Sequence, residues 1–267
     1  MPEPQKPQID TTMFKAYDIR GIVDKTLTEE ATFQIGQALG SEAIERKQKQ
    51  IYVGFDGRLS GPRLSQALIK GLLASGCDVT NVGMVPTPVL YYAAYELGSG
   101  SGIMVTGSHN PPEYNGLKMV LGGETLAGDT IQALLKRIEN NKVVSGKGQY
   151  EELNITEKYI QRITGDVSLS RKMKIIVDCG NGVAGEAAPA LLRALGCDVK
   201  ELFCEIDGNF PNHHPDPSQP ENLVDLQTAL SENDADIGLA FDGDGDRLGV
   251  VTKQGEVIWA DRQMMLY

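Results

Sequence analysis

The strongest constraint on the fold of this chain is a pattern that it uses twice. Residues 51–56 (Ile-Tyr-Val-Gly-Phe-Asp) form an apolar run followed by a Gly-containing turn, an amphipathic stretch at 64–74 and then Gly-Cys-Asp-Val at 76–79. Residues 174–178 (Lys-Ile-Ile-Val-Asp) lead through Cys-Gly-Asn-Gly to a second amphipathic stretch at 187–195 and then Gly-Cys-Asp-Val at 196–199. A repeat of this length marks one supersecondary unit used twice. Each copy reads as a buried strand, a helix, a glycine stop and a second strand. Strands that alternate with helices in this way build βαβ units, whose parallel strands are covered on both faces. The expected fold class is α/β: two related α/β/α sandwich domains with mixed but mostly parallel sheets.

Residues 125–140 carry helical periodicity and give way to Val-Val-Ser-Gly-Lys-Gly-Gln at 143–149, which has the composition of a linker. A new helix is expected near Thr156, which puts the domain boundary at residue 153. The second domain then runs over 154–256, and residues 257–267 form a stub. A hairpin is expected from strands at 248–252 and 255–259. Residues 261–267 read as the opening of a helix, and the expectation is a fragment of a longer protein.

Each copy later contains a short apolar strand that runs into a polar loop. The first is residues 102–106, followed by Gly107, Ser108, His109 and Asn110; the second is residues 237–241, followed by Asp242, Gly243, Asp244, Gly245 and Asp246. Sheets of this class bind ligands beyond the carboxyl ends of their strands. Gly107 allows a sharp turn and the pair Pro111–Pro112 stiffens the far side, so the Ser108 hydroxyl is expected in open space. A hydrolase nucleophile elbow needs glycine two residues either side of the serine, where this chain has Thr106 and Asn110. A plain turn with a capping serine is the competing reading.

Asp242, Asp244 and Asp246 repel one another unless a cation neutralises them, and the intervening glycines let the loop curl so that all three point inward. Hard oxygen ligands in this number suit Mg²⁺ or a similar divalent ion. An EF-hand also begins with alternating aspartates, but it needs glycine at its sixth position and glutamate at its twelfth. Here those are Arg247 and Lys253, and a strand precedes the loop. A solvated acidic turn and an aspartyl nucleophile at Asp242 are two further readings.

Composition narrows the remaining classes. A net charge of −11 argues against a nucleic-acid or anionic-membrane partner. Prolines break the longest apolar stretch and the first ten residues are polar, so neither a membrane span nor a signal peptide is expected. Cys77, Cys179, Cys197 and Cys204 form no CxxC pair and read as buried thiols in a reducing compartment. The chain is therefore expected in the cytoplasm, with no obligate protein partner. His213 and His214 sit between prolines without a carboxylate cluster and read as a structural loop, and Arg20 is close enough in sequence to pair with Asp18.

Five segments together resemble the α-D-phosphohexomutase family, most closely its bacterial phosphomannomutase/phosphoglucomutase branch. They are residues 14–21 (Phe-Lys-Ala-Tyr-Asp-Ile-Arg-Gly), 53–60 (Val-Gly-Phe-Asp-Gly-Arg-Leu-Ser), 83–88 (Gly-Met-Val-Pro-Thr-Pro), 106–112 and 241–247. The resemblance covers essentially the whole chain but only the N-terminal half of the family's four domains. It implies that Ser108 is phosphorylated in the active enzyme. It also implies that Asp242, Asp244 and Asp246 bind Mg²⁺, with a phosphoserine oxygen of Ser108 as a further ligand. Active-site roles follow for Tyr17, Arg20, His109, Lys118 and Arg247: Tyr17, Arg20, Lys118 and Arg247 bind substrate, and His109, Lys118 or Arg20 moves the proton. The implied reaction interconverts hexose 1-phosphate and 6-phosphate, of mannose or glucose, through a 1,6-bisphosphate. The implied third and fourth domains supply a sugar-reading loop and a phosphate-binding loop, so this stretch alone is expected to be inactive. A metal- and phosphate-binding module without turnover is the second reading.

Overall fold

A computed structural model describes residues 9–265. The chain divides into two compact units, the first made of Met1–Phe55, Ser60–Gly83 and Leu90–Asn154, the second of Asp56–Leu59, Met84–Val89 and Ile155–Tyr267.

The first unit contains β1 (Ile19–Ile22), α1 (Glu29–Glu45), β2 (Gln50–Phe55), α2 (Gly61–Ala74), β3 (Asp78–Met84), most of α3 (Thr87–Glu96), β4 (Gly102–Val105), β5 (Tyr114–Leu121), β6 (Glu124–Thr125), α4 (Asp129–Glu139) and β7 (Tyr150–Glu152). Its sheet runs β1-β5-β4-β2-β3-β7, with β6 paired to β5. β2 and β4 pair in parallel, as do β3 and β7, whereas β5 is antiparallel to both β4 and β1. The central strands read as continuous apolar runs because both faces are covered: β4 is buried at all four positions. α1, α2 and α4 pack on one face, and their inward stripes (Ile35 and Leu39, Leu68 and Leu72, Leu134 and Ile138) meet Ile51, Val53, Ile103 and Leu117 in a single core. Thr28 starts α1 as an N-cap, its hydroxyl accepting the Ala31 N–H at 3.1 Å.

The stretch expected to be a linker is held against the sheet. Gly146 and Gly148 donate their N–H groups to Ala74 O and Leu73 O, Gln149 donates to Asp78 Oδ1, and β7 then joins the edge of the sheet. A Cβ on Gly148 would lie 1.7 Å from Cys77 O, so glycine is present for close approach rather than for flexibility.

The second unit holds α5 (Thr156–Asp166), β8 (Lys174–Asp178), α6 (Ala184–Ala194), β9 (Asp198–Leu202), α7 (Val224–Glu232), β10 (Ile237–Phe241), β11 (Leu248–Thr252), β12 (Val257–Ile258) and α8 (Ala260–Gln263). The sheet order is β12-β11-β10-β8-β9, parallel across β10-β8-β9 and antiparallel across β10-β11-β12. Alternation along β8 sorts the core into two layers. Ile175 and Val177 face Ala184 and Ala188 of α6, while Ile176 faces Leu226 and Leu230 of α7. Arg58, wholly buried in this unit, stands 5.2 Å over the Phe210 ring. Both sheets are thus mixed and mostly parallel, each flanked by helices. The expected hairpin is β11 and β12. Of the helical opening expected over 261–267, α8 covers Ala260–Gln263, and residues 266–267 lie outside the described residues.

All four cysteines are free thiols, three of them buried and Cys204 half-buried. Among the described residues, no helix is long and apolar enough to cross a membrane.

Candidate active site

In the first unit, β4 ends where the serine loop begins. The Thr106 N–H still donates to Gly116 O at 2.9 Å, continuing the pairing with β5, and then the chain turns. Ser108 takes the left-handed conformation at φ +49°, uncommon for a residue with a Cβ. Its N–H donates to Thr106 Oγ1 at 2.7 Å. Asn110 closes the loop from the other side, where its N–H and its Nδ2 both donate to Gly107 O, at 2.9 and 2.8 Å. The loop therefore folds back on itself, and Ser108 is 3% exposed rather than in open space as its sequence context implied. The Ser108 Oγ is 3.4 Å from Nδ1 of half-buried His109.

Arg20 and Lys118 share a face of this sheet. Arg20 pairs with Gly116 and Lys118 with Met104, and the pleat alternates them against Ile19 and Leu117, which point into the core. Arg20 does pair with Asp18 at 2.5 Å, but its Nη1 also donates to Asn110 Oδ1 at 3.1 Å, which ties β1 to the serine loop. Tyr17, just before β1, is 82% exposed.

In the second unit, residues 242–247 form the loop between antiparallel β10 and β11. The Asp242 N–H donates to Arg247 O, and the Gly245 N–H returns to Asp242 O at 3.0 Å. Gly245 takes φ +73°, and a Cβ there would lie 3.2 Å from Ala184 Cβ and 3.3 Å from Pro86 Cβ, so the turn needs glycine on both counts. Asp242 Oδ1 accepts the N–H groups of Asp246 and Arg247, each at 3.0 Å. Thr87 donates its hydroxyl to Asp244 Oδ2 at 2.5 Å and its N–H to Asp244 O at 2.9 Å. Asp242 and Asp244 are fully buried and Asp246 is exposed, and one carboxylate oxygen from each lies within 4.8 Å of the other two. Buried carboxylates gathered this closely call for a counter-charge, and an all-oxygen donor set of three matches a hard divalent cation. The exposed side chain of Arg247 follows directly.

His213 is built into the fold. Its Nε2 is 3.0 and 3.1 Å from the two Asp178 carboxylate oxygens, its Nδ1 is 3.0 Å from His214 O, and its ring meets Phe203 edge-on. Burial lowers its pKa, but Asp178 and the carbonyl outweigh burial and hold it above the ordinary 6.5. Sequence patterning did not single out Thr87, Thr106 or Asn110. Each lies inside a segment that carries the family resemblance, but the role of each depends on a contact made through the fold.

Known proteins share both loops' domains. The phosphoglucomutase/phosphomannomutase alpha/beta/alpha domain I matches residues 11–144, and domain II of the same family matches residues 157–255. A phosphomannomutase/phosphoglucomutase of Pseudomonas aeruginosa is 57% identical over 261 residues, which make up 98% of this chain and 56% of that protein. A phosphoglucomutase of Neisseria gonorrhoeae is 56% identical over 261 residues, covering 97% of this chain and 57% of its own length. The crystal structure of a phosphoglucomutase/phosphomannomutase family protein from Burkholderia thailandensis superposes with a TM-score of 0.94 at 54% identity, over 97% of this chain and 58% of that one. The chain thus spans a little over half the length of the relatives it matches. With two adjacent domains of one family matched in order along most of its length, the chain belongs to the phosphoglucomutase/phosphomannomutase family.

Proposed function

We propose that this chain carries the phosphoryl-transfer part of a hexose-phosphate mutase, with Ser108 as the phosphoryl carrier. The observation that carries the proposal is the conformation of the serine loop. Ser108 is held at a left-handed φ at the end of a buried strand, shielded from solvent, with an imidazole nitrogen 3.4 Å from its hydroxyl. Backbone strain of this kind, about 1–3 kcal/mol per residue, persists where the surroundings impose it, and functional sites are where it gathers. The names borne by the relatives, phosphomannomutase/phosphoglucomutase and phosphoglucomutase, favour the same reading.

Phosphoryl transfer depends on positioning and on offsetting charge more than on covalent work by the protein. A phosphoserine carries nearly two negative charges. In the first unit Arg20 and Lys118 supply positive charge for it, and exposed Tyr17 offers a hydroxyl and a ring to the substrate; in the second unit exposed Arg247 offers positive charge to a phosphorylated hexose. Asp242, Asp244 and Asp246 would hold a divalent cation, Mg²⁺ by donor chemistry, which would supply charge neutralisation for a bound phosphate group. In the forward direction, O6 of a hexose 1-phosphate attacks phosphorus, the bond from phosphorus to Ser108 Oγ breaks, and the O6 proton is taken up by the protein. The bisphosphate then presents its 1-phosphate, and Ser108 Oγ takes that phosphoryl group while O1 recovers a proton. Ser108 ends phosphorylated as it began, and the product is the 6-phosphate. His109, Lys118 and Arg20 are the candidates to hold the proton, and the 3.4 Å separation favours His109.

Geometric restraint of a substrate lowers barriers by roughly 7–11 kcal/mol. We infer that this chain, whose 261 matched residues cover 56% of the Pseudomonas relative's length, exchanges phosphoryl groups at Ser108 without sustaining rapid turnover. A single-turnover experiment tests the function. Chain phosphorylated at Ser108, mixed with glucose 1-phosphate or mannose 1-phosphate, should lose its phosphate to hexose 1,6-bisphosphate. Loss as inorganic phosphate at the same rate with and without sugar would contradict a mutase, and no loss would favour a binding module.

A further inference from the structure

Thr87 bonds to Asp244 at two points. Its N–H reaches the Asp244 carbonyl at 2.9 Å and its hydroxyl reaches the Asp244 carboxylate at 2.5 Å, across 157 positions of sequence and inside the second unit. Both residues are 0% exposed, so no bulk water competes for either bond. Pro86 lies beside the same loop, since a Cβ added at Gly245 would stand 3.3 Å from Pro86 Cβ. The segment Pro86–Thr87 therefore forms a wall of the aspartate loop, although nothing in its sequence advertises an ionic role.

An ionised carboxylate only accepts hydrogen bonds, so the Thr87 hydroxyl must donate, and this donation selects one rotation of the Asp244 carboxylate. The other two aspartates are placed differently. The backbone N–H groups of Asp246 and Arg247 hold Asp242 from within the loop, and Asp246 is exposed. Asp244 is instead gripped through its side chain by a segment distant in sequence.

We propose that Thr87 is a positioning residue for the cation site: its hydroxyl fixes the Asp244 carboxylate in the orientation that binds the metal. The proposal rests on the reading of Asp242, Asp244 and Asp246 as a cation site. Partners that orient metal ligands typically change affinity by about 10–100-fold when they are lost. Thr87→Val keeps the shape and removes the donor, whereas Thr87→Ser keeps the donor and loses only a methyl group.

The test is Mn²⁺ binding to the 267-residue chain, followed by the loss of the free-ion electron paramagnetic resonance signal. Wild type, Thr87→Val, Thr87→Ser and Asp244→Asn are compared, with thermal unfolding in the absence of cation as the check on folding. The expected result is tight binding by wild type and Thr87→Ser, binding about 10–100-fold weaker by Thr87→Val, and still weaker binding by Asp244→Asn. Equal affinity in wild type and Thr87→Val overturns the proposal, as does an equal loss in Thr87→Val and Thr87→Ser. If Thr87→Val does not fold, Thr87→Ala takes its place in the comparison with Thr87→Ser. No Mn²⁺ binding by wild type, or equal binding by Asp244→Asn, instead overturns the cation-site reading and the proposal with it.

Discussion

Arg20 in β1 donates to Asn110 in the serine loop at 3.1 Å, across 90 positions of sequence. Asn110 also bonds through Nδ2 to Gly107 O, so one side chain holds both the loop and the cation beside it. Asn110→Ala removes both bonds, each worth a net 0.5–1.5 kcal/mol or so. The variant should lose about 1–3 kcal/mol in urea unfolding and should be phosphorylated at Ser108 more slowly than wild type. An unchanged labelling rate would mean that the bond from Arg20 to Asn110 does not serve the transfer.

Ser108 supports a prediction about backbone strain. With φ at +49°, any residue with a Cβ is strained there and glycine is not. Ser108→Ala and Ser108→Gly both lack the hydroxyl, so their difference isolates the backbone. Ser108→Gly should be the more stable by about 1 kcal/mol in urea unfolding. The reverse order would place Ser108 in an ordinary conformation in solution.

The aspartate loop predicts linkage to a cation. A ligand that binds only the folded state stabilises it by about 2.7 kcal/mol at a hundredfold excess over its Kd. Mg²⁺ should therefore raise the melting temperature of wild type and raise that of Asp244→Asn much less. Identical shifts would argue against the site, and stabilisation by Ca²⁺ alone would point to a different ion.

The loops themselves were legible in the sequence because each is a contiguous polar run after an apolar strand. The strand and helix pattern of both copies was legible because burial on both faces writes itself as an unbroken apolar run, as in β4 and β8. The supports were not legible. Thr87 carries no signal of its own and Asn110 reads as a loop residue, and their partners are 157 and 90 positions away. Residues 143–149 looked like a linker because glycine serves close packing and flexibility alike, and only the 1.7 Å approach of a Gly148 Cβ to Cys77 O decides between them.

His213 offers a test by pH. Both of its ring nitrogens face oxygen acceptors, and its pKa is held above 6.5 because Asp178 and the His214 carbonyl outweigh the burial that lowers it. A group whose folded pKa is raised stabilises the fold fully below the unfolded value, near 6.5, and loses that contribution as pH rises through the folded value. NMR titration should show the His213 imidazole titrating above 6.5 and moving down in Asp178→Asn. A midpoint at or below 6.5 in wild type would contradict this account of the loop.

The central claim is that Ser108 carries the phosphoryl group, and intact mass spectrometry tests it most directly. Incubation with glucose 1,6-bisphosphate should add a single phosphate to wild type, located by fragmentation on the peptide that contains Ser108. Ser108→Ala, with the rest of the loop unchanged, should gain none. Equal phosphorylation of Ser108→Ala, or a phosphate found on Asp242 instead, would contradict the account.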